Sequence, residues 1–321
     1  MATLGCAPRP CPGALEAVLV EAGQAPRRLG RSRDAAFMAL DGDAELAVVG
    51  RWRARGGELG RVELSSYELE ADRLRSKRAL PRGAMGRSAI VIGDEGDWLA
   101  RRAGDSLRIE RVDDGALELE RDGLGSILAG GRTRLLWTDL EGRMRLWARE
   151  REDGSWRELA SGPAPRARQV DVQRGAFILG EGELMIVQER VDVVSGAQTH
   201  ALVVREGDRL RVLPERLETL GLARVDASRA AGVFEGRYCE WTLGAPGEGL
   251  GPPECSWQWR FDAGVRFGVG DALWVWQGSE LEIVERSTGA VLDTLTMPSC
   301  ATISAVVVRG DRALIGLAAR P

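Results

Sequence analysis

The chain has 321 residues, 44% hydrophobic and 29% charged, with 44 basic against 48 acidic side chains and a net charge of -4; this is ample apolar material for a core and argues against a disordered chain. Nucleic-acid binding is disfavoured too, because it calls for uncompensated positive charge, whereas here Arg alternates with Glu and Asp, as in RIERVDDGALELERDG, and Lys77 is the lone lysine. No apolar run approaches the ~18 residues that a membrane-spanning helix needs.

Short apolar runs punctuated by Gly and Asp make this an all-β pattern. In chain order, GALEAVLVEAGQAPRRLG (Gly13 to Gly30) reads as a strand, a glycine turn and a second strand. Inner hairpins follow, as in AFMALDGDAELAVV, AIVIGDEGDWLA, VDVQRGAFIL, VRFGVGDALWVW and AVVVRGDRALIGLA, with starts near Ala35, Ser88, Gly125, Gln169, Leu222, Val265 and Ile303. Several are followed by an outer hairpin that repeats: GDSLRIERVDDGALEL, GRMRLWAREREDGSWREL, GELMIVQERVDVVSGAQTHAL and GSELEIVERSTGAVLDTL.

In these four the gap from the second aliphatic residue to the turn glycine holds five residues after Ile109 and Ile283, seven after Leu146 and nine after Ile186. Growth by pairs keeps the same side chains on the core face, where a single insertion would invert them. Two hairpins make a four-stranded antiparallel unit, and seven such units predict a seven-bladed β-propeller. The last unit lacks an outer pair, which the N-terminal strands would supply, so that residues 13–321 form one domain behind a 1–12 tether. REGDRLRVLPERLETLG, from Arg205, fits either an outer strand of the fourth blade or an insertion.

TGAVLDTLTMP is similar to an outer strand, and RGDRALIGLA to an inner hairpin, of the WD40-like and YVTN-like β-propeller superfamily, although no GH or WD dipeptide occurs. The resemblance implies a platform that binds a protein or a small ligand on a face of the disc.

Cysteines stand at 6, 11, 239, 255 and 300. Cys239 and Cys255 flank the loop GAPGEGLGPP and would face each other across an outer hairpin. Cys11 and Cys300 enter the completed last blade at the same end, where a bond would staple it. Cys6, in TLGC, resembles the lipidated cysteine of a bacterial lipoprotein signal; an anchor there requires a start upstream of Met1. Stable bridges would place the protein in the periplasm or at the outer membrane, touching the membrane only through that anchor. Five reduced cytoplasmic thiols are the alternative.

No metal or cofactor is expected: the lone histidine leaves Cys6 and Cys11 short of ligands, and DGDAE (Asp41 to Glu45) and GDEGD (Gly93 to Asp97) read as turns. His200 alternates with apolar residues and reads as structural. Asp171, Asp226 and Arg266 are polar exceptions on otherwise apolar inner strands and could line a binding spot. Ten tryptophans include two i, i+2 pairs. Trp274 and Trp276 read as packing between blades. Trp257 and Trp259, beside Arg260, Tyr238 and the Gly/Pro loop, have the composition of an interface hot spot. The expected function is therefore a non-enzymatic binding platform, exported, and monomeric outside any complex. A cytoplasmic scaffold subunit, and a hydrolase or lyase centred on the channel, are the alternatives.

Overall fold

The computed structural model describes residues 2–3, 15–21, 27–32, 37–40, 46–55, 58–68, 73–80, 89–92, 98–131, 133–165, 176–192, 194–262, 265–297 and 301–319. Cys6, Cys11, Cys300, Asp171 and the acidic turns at 41–45 and 93–97 lie outside them. The described residues are all β apart from one 3-10 turn at Gly180–Gly182.

In chain order the strands are β1 (Ala2–Thr3), β2 (Leu15–Glu21), β3 (Arg27–Ser32), β4 (Phe37–Leu40), β5 (Leu46–Arg55), β6 (Glu58–Glu68) and β7 (Arg73–Leu80). Next come β8 (Ala89–Ile92), β9 (Trp98–Ala103), β10 (Ser106–Arg111), β11 (Leu117–Asp122), β12 (Leu124–Gly130), β13 (Arg134–Asp139), β14 (Arg143–Arg149) and β15 (Trp156–Pro163). They continue as β16 (Ala176–Leu179), β17 (Leu184–Val191), β18 (Gln198–Glu206), β19 (Arg209–Thr219), β20 (Leu222–Arg224), β21 (Arg229–Phe234), β22 (Arg237–Thr242) and β23 (Glu254–Gln258). The last are β24 (Arg266–Val269), β25 (Leu273–Gln277), β26 (Glu280–Val284), β27 (Val291–Thr296), β28 (Ala301–Arg309) and β29 (Arg312–Ala319).

The chain divides into two compact units. The first comprises Met1–Asp41, Glu45–Ala84 and Val265–Pro321. It holds the sheets β4-β5-β6-β7, β28-β29-β2-β3 and β24-β25-β26-β27, the last with β1 added in parallel on its outer edge. In the second sheet β2 lies antiparallel to β29, from Glu16 opposite Leu317 to Glu21 opposite Arg312, and the Arg312–Glu21 ion pair (3.4 Å) ties that register. Val20, Ile303, Ile315 and Leu317 from this sheet and Trp274, Trp276, Leu281 and Ile283 from its neighbour bury one apolar layer.

The second unit comprises Gly42–Ala44 and Met85–Gly264. It holds β8-β9-β10-β11, β20-β21-β22-β23 and an eight-stranded sheet made of two meanders, β12–β15 and β16–β19, whose outer strands touch through one parallel pairing, Ser161 with Arg209. A Cβ on the adjacent Gly162 would stand 2.2 Å from the Leu210 carbonyl oxygen, so only glycine allows this approach. Of the segment from Arg205, Arg205 and Glu206 end β18 and Arg209–Thr219 is the outer strand of the β16–β19 meander. Consecutive meanders bury apolar layers between them, around Ile109, Leu135 and Trp137, around Leu136, Met185 and Val203, and around Ile186, Leu202 and Trp241. Each fully buried Leu or Ile in such a layer contributes about 1.5–3 kcal/mol.

The four repeated hairpins share one turn, but only β10–β11, β14–β15 and β26–β27 are the outer pair of a meander: β17–β18, expected as an outer hairpin, is the central pair of β16–β19, because Ala176–Leu179 pairs forward with β17 rather than back along VDVQRG, and β19 adds beyond β18. At residues Arg111, Glu150, Asp192 and Glu285 the carbonyl accepts from a glycine N–H four residues on, and the N–H donates to the carbonyl five residues on. The glycines, Gly115, Gly154, Gly196 and Gly289, all have φ between 68° and 77°, the left-handed region that glycine enters without strain. Just before each glycine, Asp114, Asp153, Ser195 or Thr288 accepts a side-chain hydrogen bond from the N–H two residues on. The repeat's chemical signature is therefore an Asp, Ser or Thr followed by Gly and a small residue, and only the strand length between core and turn varies.

Candidate recognition site on the disulfide-bonded sheet

Sheet β20–β23 has two unlike faces. Ala230, Cys239 and Trp241 are buried against β16–β19, with Phe234 and Cys255 packed beside them. Cys239 and Cys255 pair directly across β22 and β23 and are joined in a disulfide. Loops of about 15 residues closed this way typically gain about 3 kcal/mol.

Strict alternation would put Trp257 on the same face as Cys255. The ladder instead shifts: Cys239 lies opposite Cys255 but Arg237 lies opposite Gln258, so β23 carries one extra residue there. This β-bulge turns Trp257 to the other face, over Tyr238. The Arg237 guanidinium holds the bulge by donating to the carbonyls of Cys255 (3.3 Å) and Ser256 (2.8 Å), and the Trp259 N–H donates to the Gly236 carbonyl (2.8 Å).

From the bulge an aromatic ladder runs from Tyr238 on β22 across Trp257 and on past the end of β23. Tyr238 and Trp257 stack at 5.3 Å with planes 10° apart, Trp257 and Trp259 at 5.6 Å and 17°, and Phe261 meets Trp259 edge-on at 4.9 Å. The Arg260 guanidinium lies 4.6 Å from the Phe261 ring centre. Tyr238 is buried, the three rings above it are half-buried and Arg260 is exposed. Offset stacks of this kind add about 0.5–1.5 kcal/mol per pair and leave ring edges presented in a fixed row.

The ladder is braced from below by charge. The Tyr238 hydroxyl donates to Glu240 Oε1 (2.8 Å), whose Oε2 accepts from Arg229 (3.4 Å). Arg229 donates in turn to Asp226 Oδ2 (2.7 Å), and the Ser228 N–H donates to Asp226 Oδ1 (2.8 Å). Burial alone would raise the Asp226 pKa, but the hydrogen bonds from Ser228 and Arg229 outweigh it and hold the carboxyl below the ordinary range.

Of the residues singled out in the sequence, Tyr238, Trp257, Trp259, Arg260 and Asp226 belong to this one network. Arg266 is exposed on β24 in the other unit. Three members escaped the sequence reading. Phe261 continues the i, i+2 alternation of WQWRF and could have been read from it, whereas Arg229 and Glu240 are linked to the site only by strand pairing. His200 is buried on β18 opposite Gln188, its Nδ1–H directed at the Leu217 carbonyl (3.4 Å). Trp274 and Trp276 are buried in the core of the first unit.

No protein-family model matches the chain, and no curated protein matches it. Among solved structures, U3-55K is similar at 11% identity and a TM-score of 0.47, covering 90% of this chain and 99% of that one. The Myceliophteria thermophila Cps50 (Swd1) beta-propeller domain is similar at 12% identity and a TM-score of 0.49, covering 90% of this chain and 98% of its own. What the described residues define is an all-β protein of four-stranded antiparallel meanders carrying a braced aromatic row.

Proposed function

We propose that this chain is a non-enzymatic binding platform on a seven-bladed β-propeller, and that the row Trp257, Trp259, Arg260 and Phe261 is its recognition edge. The observation that carries the reading is the ladder itself. Four rings and a guanidinium are fixed on a disulfide-bonded hairpin, and aromatic and Arg side chains held in place lose little entropy on binding and dominate interface energies. The blade count rests on the four-stranded meanders, with the eight-stranded sheet taken as two and β2–β3 completing the blade of β28–β29.

The Trp257→Ser/Trp259→Ser double variant is expected to keep the far-UV circular dichroism and cooperative melting of the parent. In cross-linking of purified protein against extract of its source organism, it should lose at least tenfold in the recovered partner. An unchanged partner set, or a variant that no longer folds, would overturn the recognition role.

We further propose export, tethered through Cys6, with Cys11 and Cys300 stapling the last blade. The Cys239–Cys255 bond supports an oxidising compartment. Intact mass after reduction should rise by two hydrogens for that bridge and by four if the second exists. No rise would refute both, and with them the argument for export.

A further inference from the structure

The ends of three consecutive meanders in the second unit surround a cleft of about 30 Å³, the volume of one or two water molecules. Thr133 and Arg134 come from the start of β13, Gly180 and Glu181 from the β16–β17 turn, and Arg224 and Ala227 from the end of β20 and its turn. Gly180 is tied to the third meander by its N–H donating to the Ala227 carbonyl (2.7 Å).

The β16–β17 turn is unusual. Gly180, Glu181 and Gly182 have φ values of 57°, 56° and 92°. Glycine enters that region freely, whereas glutamate is strained there. A side chain on either glycine would also collide, with Leu243 at 2.3 Å or with Leu146 at 2.9 Å. Position 181 thus carries the one side chain in the turn, although its backbone would suit glycine better.

What that side chain does is clear from its partner. Arg134 donates from Nε to the Glu181 carbonyl (2.9 Å) and from Nη2 to Glu181 Oε2 (2.8 Å), while Nη1 donates to Thr133 Oγ1 (2.7 Å). The guanidinium side chain is only 18% exposed, but the carboxylate that neutralises it is 60% exposed. Burial holds Arg134 below the ordinary guanidinium pKa; Glu181 and, less, Glu150 oppose this, and Arg205 and Arg151 add to the lowering. Arg224 lines the same cleft, its Nε donating to the Asp226 carbonyl (2.9 Å).

A sheltered cation that donates one N–H to the solvent-facing carboxylate of a strained residue and another to that residue's own carbonyl is the arrangement of a site filled by an internal stand-in. We propose that this cleft is a carboxylate-binding site which Glu181 occupies in the free protein, and that the carboxylate of an acidic ligand replaces Glu181 on Arg134. The ligand chemistry is an aspartate- or glutamate-type carboxylate, from an acidic peptide segment or from a small free acid. Displacement exchanges one charge-assisted hydrogen bond for another and frees the Glu181 side chain, while the Arg134 bond to the Glu181 carbonyl stays.

The test is calorimetric titration of the full chain with L-glutamate and with hexaglutamate, against potassium chloride at matched ionic strength. Glu181→Gly keeps the turn's backbone and removes the stand-in, so it should bind at least one probe tenfold or more tighter than the parent. Adding Arg134→Gln to Glu181→Gly should abolish that gain; if this variant does not fold, Arg134→Lys, which keeps the charge but not the fork, should still weaken binding at least fivefold. Binding of hexaglutamate alone assigns the site to peptides, and comparable binding of L-glutamate assigns it to free acids. The proposal is overturned if Glu181→Gly binds neither probe up to about 10 mM, if it binds no tighter than the parent, or if binding is indifferent to Arg134.

Discussion

Replacing Trp274 by alanine is expected to lower unfolding stability by about 3–5 kcal/mol, the range for deleting a fully buried indole. Trp274 lies on β25 with no exposed surface, opposite Ile283 on β26 and within the layer that includes Val20, Ile315 and Leu317 from the neighbouring sheet. That neighbour is built from both chain ends, so the cavity would open where N- and C-terminal strands meet. Its walls cannot close easily: Cβ atoms at Gly268 and Gly270 would already stand 2.7 and 2.8 Å from Val308, so the sheets are in close contact there. Urea unfolding followed by far-UV circular dichroism should show a lower midpoint with an unchanged slope. Trp257→Ser, which removes a half-buried ring from the ladder, should cost only about 1–2 kcal/mol. A Trp274→Ala loss below about 1 kcal/mol would mean that this layer does not hold the two sheets together.

Acid should weaken the fold well above the carboxylate range, through one residue. Burial pushes the His200 imidazole down to about 4 from 6.5, outweighing the opposing hydrogen bond to the Leu217 carbonyl. Above pH 6.5 the imidazole is neutral in both folded and unfolded chains and contributes no pH dependence. Between 6.5 and about 4 the unfolded chain takes up a proton that the folded chain refuses, so stability falls with pH at up to about 1.4 kcal/mol per unit. Below about 4 the loss levels off near 3 kcal/mol. Asp153, held at about 2 mainly by hydrogen bonds from the Ser155 backbone and hydroxyl, acts below that window and does not confuse it. Urea midpoints at half-unit pH steps would measure the slope, and His200→Leu should flatten it between 6.5 and 4. A parent protein equally stable at pH 7 and pH 4.5 would show that His200 is not sheltered as described.

The repeat hairpins were legible because their information is local. The gaps after Ile109, Leu146, Ile186 and Ile283 differ in steps of two, and all end in the same turn. A glycine that must have positive φ and an Asp, Ser or Thr that hydrogen-bonds two residues ahead are specified by neighbours within five positions. The pairing of Cys239 with Cys255 was legible for a similar reason, since a Gly/Pro loop returning on itself brings its flanks together.

The aromatic row was legible only in part. Tyr238, Trp257, Trp259 and Arg260 stand out by composition, but alternation alone would put Trp257 on the face of Cys255. The extra residue in β23 reversed it, and a bulge of this kind is set by how two strands meet. Arg229 and Glu240 were invisible as members of the site because each is an ordinary strand residue until pairing aligns Asp226, Arg229, Glu240 and Tyr238 into one chain of hydrogen bonds.

By itself, then, the amino-acid order determined that this chain forms antiparallel hairpins of alternating polarity, where those hairpins turn, and which two cysteines meet across the Gly/Pro loop. Those outcomes follow from backbone sterics and a period of two, which act over a few residues. Tertiary structure alone decided which face Trp257 occupies, that the segment from Arg209 is an outer strand, and that Glu181 sits strained against Arg134 some fifty residues away. Each of these depends on the alignment of separate strands, and a burial or charge interaction between distant residues has no trace in the sequence around either one.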